Sequence, residues 1–339
     1  MIAAFTICSN NYLAHALTLA ASVRIHAPEW KFFIGLVDQA RDIPGIAIPP
    51  DVEVLPVDRL GLSDLLGMVR RYGIIELCTA VKPTYFRWLF SEHPEFEQVH
   101  YLDPDTRLFS EPTVLVEPLR TAAVLLTLHH LTPIPLDGKK PDEALALNHG
   151  IFNLGYLGLR RSATSDALLG WWEERMREHC RIDLREGYFV DQLWFNYVPH
   201  YFPKVAISRD PGINTAYWNL HEREITPKGC VRFAGQEYPL VLFHFSGFSP
   251  LRADRLTRIE TRQSPELQPA LRPLLANYAS QLIAHGFHAV HTLESTYVTI
   301  HRAHAAAEAA EHARHHPWRA HMRKIRAGIP ESIKRLLRS

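Results

Sequence analysis

The chain has 339 residues, 47% of them hydrophobic and 10% aromatic, with 37 Lys plus Arg against 36 Asp plus Glu. This is the composition of a soluble globular protein of one large domain or two modest ones, long enough to bury roughly three quarters of its unfolded surface without metal or disulfide staples. A net charge of +1 excludes a protein whose main task is to coat nucleic acid, and four scattered cysteines, Cys8, Cys78, Cys180 and Cys230, exclude a disulfide framework and point to a reducing cytoplasm.

No apolar run reaches the roughly 18–20 residues of a membrane span. Segment 1–8 is apolar but short, lacks a basic leader and a small-residue cleavage site, and runs into the turn signal Ser9-Asn10-Asn11. It reads as a first buried strand at 2–8. Leu13, Ala16, Leu17, Ala20 and Val23 then fall at helical spacing, predicting a helix over 12–26. Strands follow at 31–37, ending at Asp38, and at 52–56; helices at 63–72 and 79–90; and a strand at 98–102 that stops at Asp103. This alternation predicts an α/β fold with a mainly parallel central sheet flanked by helices, whose ligands sit at the carboxyl ends of the strands. The loops to inspect are 9–11, 38–40 and 103–105.

The middle of the chain predicts a strand at 122–127, a flap through Asp137-Gly138-Lys139-Lys140-Pro141, and a stretch at 148–158 rich in Gly, Asn and aromatics. A helix at 165–179, a short helix at 190–197 and a late strand at 241–245 follow. From residue 264 the character changes: 265–285 and 295–315 read as Ala-rich helices, and a basic tail ends the chain. The division is a catalytic domain over 1–260 and a helical, basic extension over 261–339.

Tyr101-Leu102-Asp103-Pro104-Asp105 puts two carboxylates on a tight turn at the end of an apolar strand, which suits a hard divalent cation bound with substrate phosphates. His244 ends another apolar strand, before Phe245-Ser246-Gly247, and adds an imidazole that tilts such a site from Mg2+ toward Mn2+; the alternative is a satisfied core histidine. Lys82 and Arg87, on the helix before the Asp-x-Asp strand, suit a diphosphate or carboxylate, or simply a solvated helix face. Asp191 and Gln192 lie among the aromatics Tyr188, Phe189, Trp194 and Phe195, where enclosure of a polar pair needs a reason. Asn153 and Gly155 punctuate an apolar stretch as a close approach of backbone to ligand would require.

Taken in order, these pieces resemble a glycosyltransferase of the GT-A type, most similar to the retaining, metal-dependent sugar transferases of the glycosyltransferase family 8 kind. The resemblance runs from Ile2 to about Gly247. It rests on Tyr12 after the first strand, Lys82 and Arg87, the Asp103-Pro104-Asp105 turn, Asn153-Leu154-Gly155, Asp191-Gln192, Asn214, and His244 with Gly247. It implies that Asp103, Asp105 and His244 hold Mn2+ or Mg2+ against the diphosphate of a nucleotide sugar. The loop Ser9, Asn10 and Tyr12, with Asp38, would meet the nucleoside, and Lys82, Arg87, Asn153 and Gly247 would complete the donor site. Asp191 and Gln192 become the catalytic candidates, stabilising positive charge opposite the leaving group; in an inverting enzyme Asp191 would instead supply the carboxylate base.

Two departures mark a divergent bacterial member. The first loop carries no acidic residue, and the Gly-x-x-Lys-Pro-Trp continuation after His244 is absent, leaving Arg252 or Arg255 in place of its Lys. Loops 131–148 and 217–224 would shape the acceptor cleft, with Trp218, His221 and Glu222 in it. Trp318 and the basic run to Arg338 resemble an interfacial helix that rests on anionic lipid, or one that caps the domain or mediates self-association. The expected activity is transfer of a hexose from a nucleotide-diphosphate sugar, a UDP-sugar first, to a glycan or lipid-linked glycan in surface polysaccharide synthesis. It would take place in the cytoplasm, with peripheral contact at the inner face of the membrane and no nucleic-acid partner. A nucleotidyltransferase and a non-catalytic glycan-binding scaffold on the same fold are the alternatives.

Overall fold

A computed structural model describes residues 1–257, 262 and 268–315. The Trp318-to-Arg338 segment read as a membrane-contact helix lies outside the described residues. Strands β1 (Ile2–Cys8), β2 (Lys31–Leu36), β3 (Val52–Pro56) and β4 (Gln98–Leu102) alternate with helices α1 (Leu13–His26), α2 (Leu65–Arg71), α3 (Ile74–Ala80) and α4 (Lys82–Glu92). The helix expected at 79–90 is thus two helices. The break falls at Val81, where Pro83 in the first turn of α4 can donate no backbone hydrogen bond to a continuous helix.

Next come β5 (Thr106–Leu108), α5 (Thr113–Val116), β6 (Val124–Leu128), α6 (Glu143–His149), β7 (Phe152–Arg160) and α7 (Ala163–His179). The hairpin β8 (Ile182–Asp183) and β9 (Tyr188–Phe189) precedes a 3₁₀ turn at Trp194–Tyr197, which with α8 (Val198–Tyr201) replaces the single short helix expected at 190–197. The remainder is β10 (Val205–Ser208), β11 (Glu224–Ile225), β12 (Cys230–Phe233), β13 (Gln236–Pro239), β14 (Leu242–His244), α9 (Leu271–Ala284), α10 (Phe287–Val290) and α11 (Thr296–His315). No described helix is long and apolar enough to cross a membrane.

Seven strands form the central sheet in the order β10-β6-β7-β4-β1-β2-β3, all parallel except β7, which runs antiparallel between β4 and β6. Successive side chains point to opposite faces of a strand. Along β1, Ala4 and Cys8 join one apolar layer with α1 and α9, while Ala3, Phe5 and Ile7 join the other with α3, α4 and α7. Burial on both faces explains why the parallel strands are continuously apolar rather than alternating. Helices α9 and α10 share the first layer, where Leu271, Leu275, Tyr278, Leu282, Phe287 and Val290 are buried, whereas Tyr297 and Ile300 of α11 pack on the second. Tyr278 stacks on Phe245 with ring centroids 3.7 Å apart, bracing the segment that carries His244.

The strand order reverses direction between β1 and β4, so a crevice opens outside their carboxyl ends. β7 adds a local distortion beside it. Leu126 pairs with Leu157 but Leu128 pairs with Phe152, so five residues of β7 span two of β6. This bulge contains Asn153, Leu154 and Gly155, and bulges of this kind re-aim side chains next to ligand sites.

Candidate metal centre and ligand pocket

At the end of β4, Thr106 closes a turn by donating its backbone N–H to the Asp103 carbonyl at 3.0 Å, with its hydroxyl on the same oxygen at 2.7 Å. Pro104 supplies the fixed φ that the second position of such a turn favours. The turn leads into β5, which pairs antiparallel with β14 so that Thr106 lies opposite His244, and Phe245 donates its N–H to the Asp105 carbonyl at 2.8 Å. Two segments far apart in sequence thus set three ligand atoms side by side. His244 Nε2 lies 3.1 Å from Asp105 Oδ1 and 3.7 Å from Asp103 Oδ2, and the three groups offer ligand atoms all within 4.8 Å of one another.

The imidazole is held by its other nitrogen. Asn214 donates its amide to Asn153 Oδ1 at 3.0 Å and to Thr127 Oγ1 at 3.3 Å, leaving its Oδ1 to accept from His244 Nδ1 at 3.4 Å. This network assigns the Nδ1 proton and aims the Nε2 lone pair at the carboxylates, the arrangement by which an outer partner orients a metal-bound histidine. Trp218 packs edge-on against the ring, 5.0 Å between centroids. Below it lies Gly155, where a Cβ would sit 2.5 Å from His244 Cε1, so only glycine lets the ring rest on β7.

Burial disfavours a protonated His244, but Asp105 and then Asp103 outweigh it and hold its pKa above the ordinary value. Asp105 is buried too, which raises its pKa, yet His244 outweighs that and leaves it below the carboxylate range. A divalent ion bound here would compete with a proton for His244 Nε2. Two carboxylate oxygens and one imidazole form a donor set that fits Mn2+ or Mg2+.

These residues line a pocket of about 670 Å³, together with Lys82, Asn153, Asp191 and Gln192. Lys82 opens α4 with its ammonium buried over the Tyr101 ring, 3.4 Å from Asp191 Oδ2 and 4.0 Å from Asp103 Oδ1. Burial pulls its pKa down, but Asp191 first and Asp103 next more than offset this. Asp191 moves the other way from an ordinary ion pair: burial raises its carboxyl to about 6 despite Lys82. Gln192 is fixed on three sides, accepting from Leu154 N–H at 3.2 Å and the Asn153 amide at 3.4 Å and donating to the His149 carbonyl at 2.6 Å.

Ser9, Tyr12, Trp218 and Gly247 also face the pocket, and Gly247 has the positive φ of +75° that glycine adopts freely. The remaining expected residues are not among its lining residues. Asn10 and Asp38 are buried and bonded to each other's segments. Arg87 points outward from α4 to Glu173 on α7, 3.0 Å away. Glu222 accepts from the Leu131 and Thr132 N–H groups and the Thr132 hydroxyl, and His221 lies edge-on to His130. Arg255 pairs with its neighbour Asp254 at the surface.

Sequence reasoning missed the wall formed by Ile74, Ile75, Cys78 and Thr79, and the histidines His129 and His130. The 74, 75, 78, 79 spacing of that wall is one face of α3 and was available as a signal.

No family model matches the chain. Among curated proteins it is similar to the uncharacterized protein YfnF of Bacillus subtilis (strain 168), 26% identical over 234 residues, which covers 69% of this chain and 77% of that one. It is also similar to the uncharacterized protein YfnD of the same strain, 24% identical over 247 residues, covering 72% and 77%. Among solved structures it aligns with the galactosyltransferase LgtC in complex with donor and acceptor sugar analogs, at 16% identity and TM-score 0.45, covering 83% of this chain and 95% of that one. It aligns as well with the apo structure of the bifunctional glycosyltransferase WbbM, at 15% identity and TM-score 0.46, covering 84% and 51%.

Proposed function

We propose that the chain is a metal-dependent glycosyltransferase of the GT-A type that moves a hexose, with retention, from a nucleotide-diphosphate sugar to a glycan or lipid-linked glycan acceptor. A UDP-sugar is the first donor to test, and surface polysaccharide synthesis at the cytoplasmic side of a bacterial membrane is the setting this reading implies. The observation that carries it is the convergence of Asp103, Asp105 and His244 on one point of a pocket also lined by Lys82 and Asp191. The ordered motifs from Tyr12 to Gly247 support the same reading.

When bound, the divalent ion supplies Lewis-acid stabilisation of the leaving diphosphate. Asp103, Asp105 and His244 would hold it, and the Asn214 amide keeps the imidazole lone pair turned toward it. Lys82 adds a fixed positive charge beside Asp103, where negative charge grows as the glycosidic bond breaks. Asp191 Oδ2 is buried and lies 3.4 Å from the Lys82 ammonium. It suits the positive charge that develops at the anomeric carbon on the side opposite the diphosphate. Gln192, locked to β7 and to the His149 carbonyl, keeps that wall rigid. Retention needs no strong protein base, since the departing phosphate oxygen takes the acceptor proton. Tyr12, stacked on His15 at 4.1 Å, offers an aromatic face for the nucleoside, and Trp218 one for the acceptor sugar.

The test is thermal stability across UDP-, GDP-, dTDP- and CMP-sugars, each with and without Mn2+, because a ligand that binds only the native state stabilises it by mass action. The expected result is a rise of a few degrees for one nucleotide class that requires Mn2+. No shift with any donor overturns the reading and favours the non-catalytic scaffold.

A further inference from the structure

The first-strand loop and the start of α11 meet on one buried carboxylate. Asp38, just past β2, is fully buried. Its Oδ2 accepts the backbone N–H of Asn10 at 3.3 Å, and its Oδ1 accepts those of Gln39 at 2.9 Å and Thr296 at 3.0 Å. Asn10 is caught a second time, since its side-chain amide donates to the Gln39 carbonyl at 3.0 Å. Asn10 is therefore held inward while its neighbours Ser9, Asn11 and Tyr12 face the pocket.

The other end of the tie is equally well seated. Thr296 is the first residue of α11, Tyr297 and Ile300 pack on the helical layer over the sheet, and the His301 ring meets the Arg70 carbonyl at 2.9 Å. A buried carboxylate is costly unless its oxygens are matched by donors, and here the donors come from three separate segments rather than from one turn. The burial of this charge makes sense as a junction.

We propose that Asp38 is a positioning residue through which helix α11 holds the 9–12 loop in its donor-binding shape, so that nucleotide affinity depends on a contact 258 residues away in sequence. The proposal rests on the donor-site reading of the pocket for its binding arm only. Its structural arm is the coupling of loop to helix.

Two substitutions in the full chain cut the two ends separately. Thr296→Pro removes the N–H that Asp38 accepts at a position where helices tolerate proline well. Asp38→Asn leaves one acceptor oxygen for Gln39 and Thr296 and turns an amide toward Asn10. Amide hydrogen exchange at residues 10–12 is expected to speed up by about fivefold or more in both variants, with protection over 300–308 retained in Asp38→Asn. UDP affinity in the presence of Mn2+ is expected to fall by roughly three- to tenfold. The donor KM should rise with kcat within about twofold, a split that general destabilisation does not produce. Mn2+ affinity without nucleotide stays at the wild-type value.

Wild-type exchange at residues 10–12 in Thr296→Pro overturns the coupling, and so does wild-type UDP affinity in Asp38→Asn. Should Thr296→Pro unfold α11, unchanged loop exchange in Asp38→Asn still overturns it. Absence of UDP binding by the wild-type protein is a different failure, of the donor reading, and leaves the exchange measurements to decide the coupling.

Discussion

The metal corner and the first-strand loop stand at the ends of adjacent strands, β4 and β1, yet they use their polar side chains in opposite ways. At the corner, Asp103, Asp105 and His244 turn ligand atoms toward one another inside the pocket, and the scaffold touches them from behind through the turn and Asn214. At the loop, Asn10 and Asp38 turn inward and bond to backbone, while Ser9 and Tyr12 face the cavity. Lone pairs left converging on a cavity mark a ligand site, whereas lone pairs saturated by backbone N–H groups mark a scaffold. The same residue types serve both ends, and only their partners tell the ends apart.

The strongest way to break this comparison is to remove the ligand atoms. Asp103→Ala with Asp105→Ala should lower metal-dependent sugar transfer by at least about 10²–10³-fold, measured as Mn2+-dependent release of UDP from the donor that stabilises the wild type. The fold should survive, because removing the carboxylates leaves the backbone turn to Thr106 in place. Turnover at the wild-type rate in this variant would show that the converging atoms are incidental.

A smaller effect comes from behind the imidazole. Gly155→Ala keeps all three ligands but drives a methyl group into His244, and overpacking of this kind costs roughly 1–3 kcal/mol. Mn2+ affinity should fall by about 10- to 100-fold, the range seen when outer support of a ligand is disturbed. Calorimetric titration with Mn2+ and a thermal melt check the two parts, and unchanged affinity would mean that the ring does not need its seat on β7.

How much of this was legible in the sequence follows the same division. The apolar runs at β1, β2 and β4 and the spacing in α1 gave the mainly parallel sheet with its helices, because burial on both faces leaves a continuous apolar signature. The short strands β5 and β11 to β13 carried too few residues for a period to emerge. The Asp-Pro-Asp turn was readable because its geometry is local. Its meeting with His244 could be expected from the residue types at the two strand ends and the order of motifs, while the pairing of β5 with β14 that brings them together is non-local and had no local signal. The residues 38, 87, 221 and 222 show the limit most clearly: a polar residue near a strand end looks the same in sequence whether it faces the ligand, the solvent or a backbone N–H. The bulge that aims Asn153 and exposes the need for glycine at 155 is likewise a matter of register, which composition does not record.

The smallest effect belongs to Arg87, and it sharpens the comparison from outside. Arg87 shares α4 with Lys82, but five residues on is a rotation of about 140° at 3.6 residues per turn, enough to carry it off the pocket-facing side. Its guanidinium is half exposed and pairs with Glu173, and such surface pairs contribute about 0–1 kcal/mol. Arg87→Ala should therefore leave the donor KM within about twofold of the wild type and shift the melting temperature by no more than a degree or two. Lys82→Ala on the same helix removes a buried cation that faces Asp191 and Asp103, and should weaken donor binding and turnover together. A large loss of donor affinity in Arg87→Ala would mean that α4 turns or slides when the nucleotide arrives, and that the ligand, rather than the resting fold, decides which side chains of this helix belong to the site.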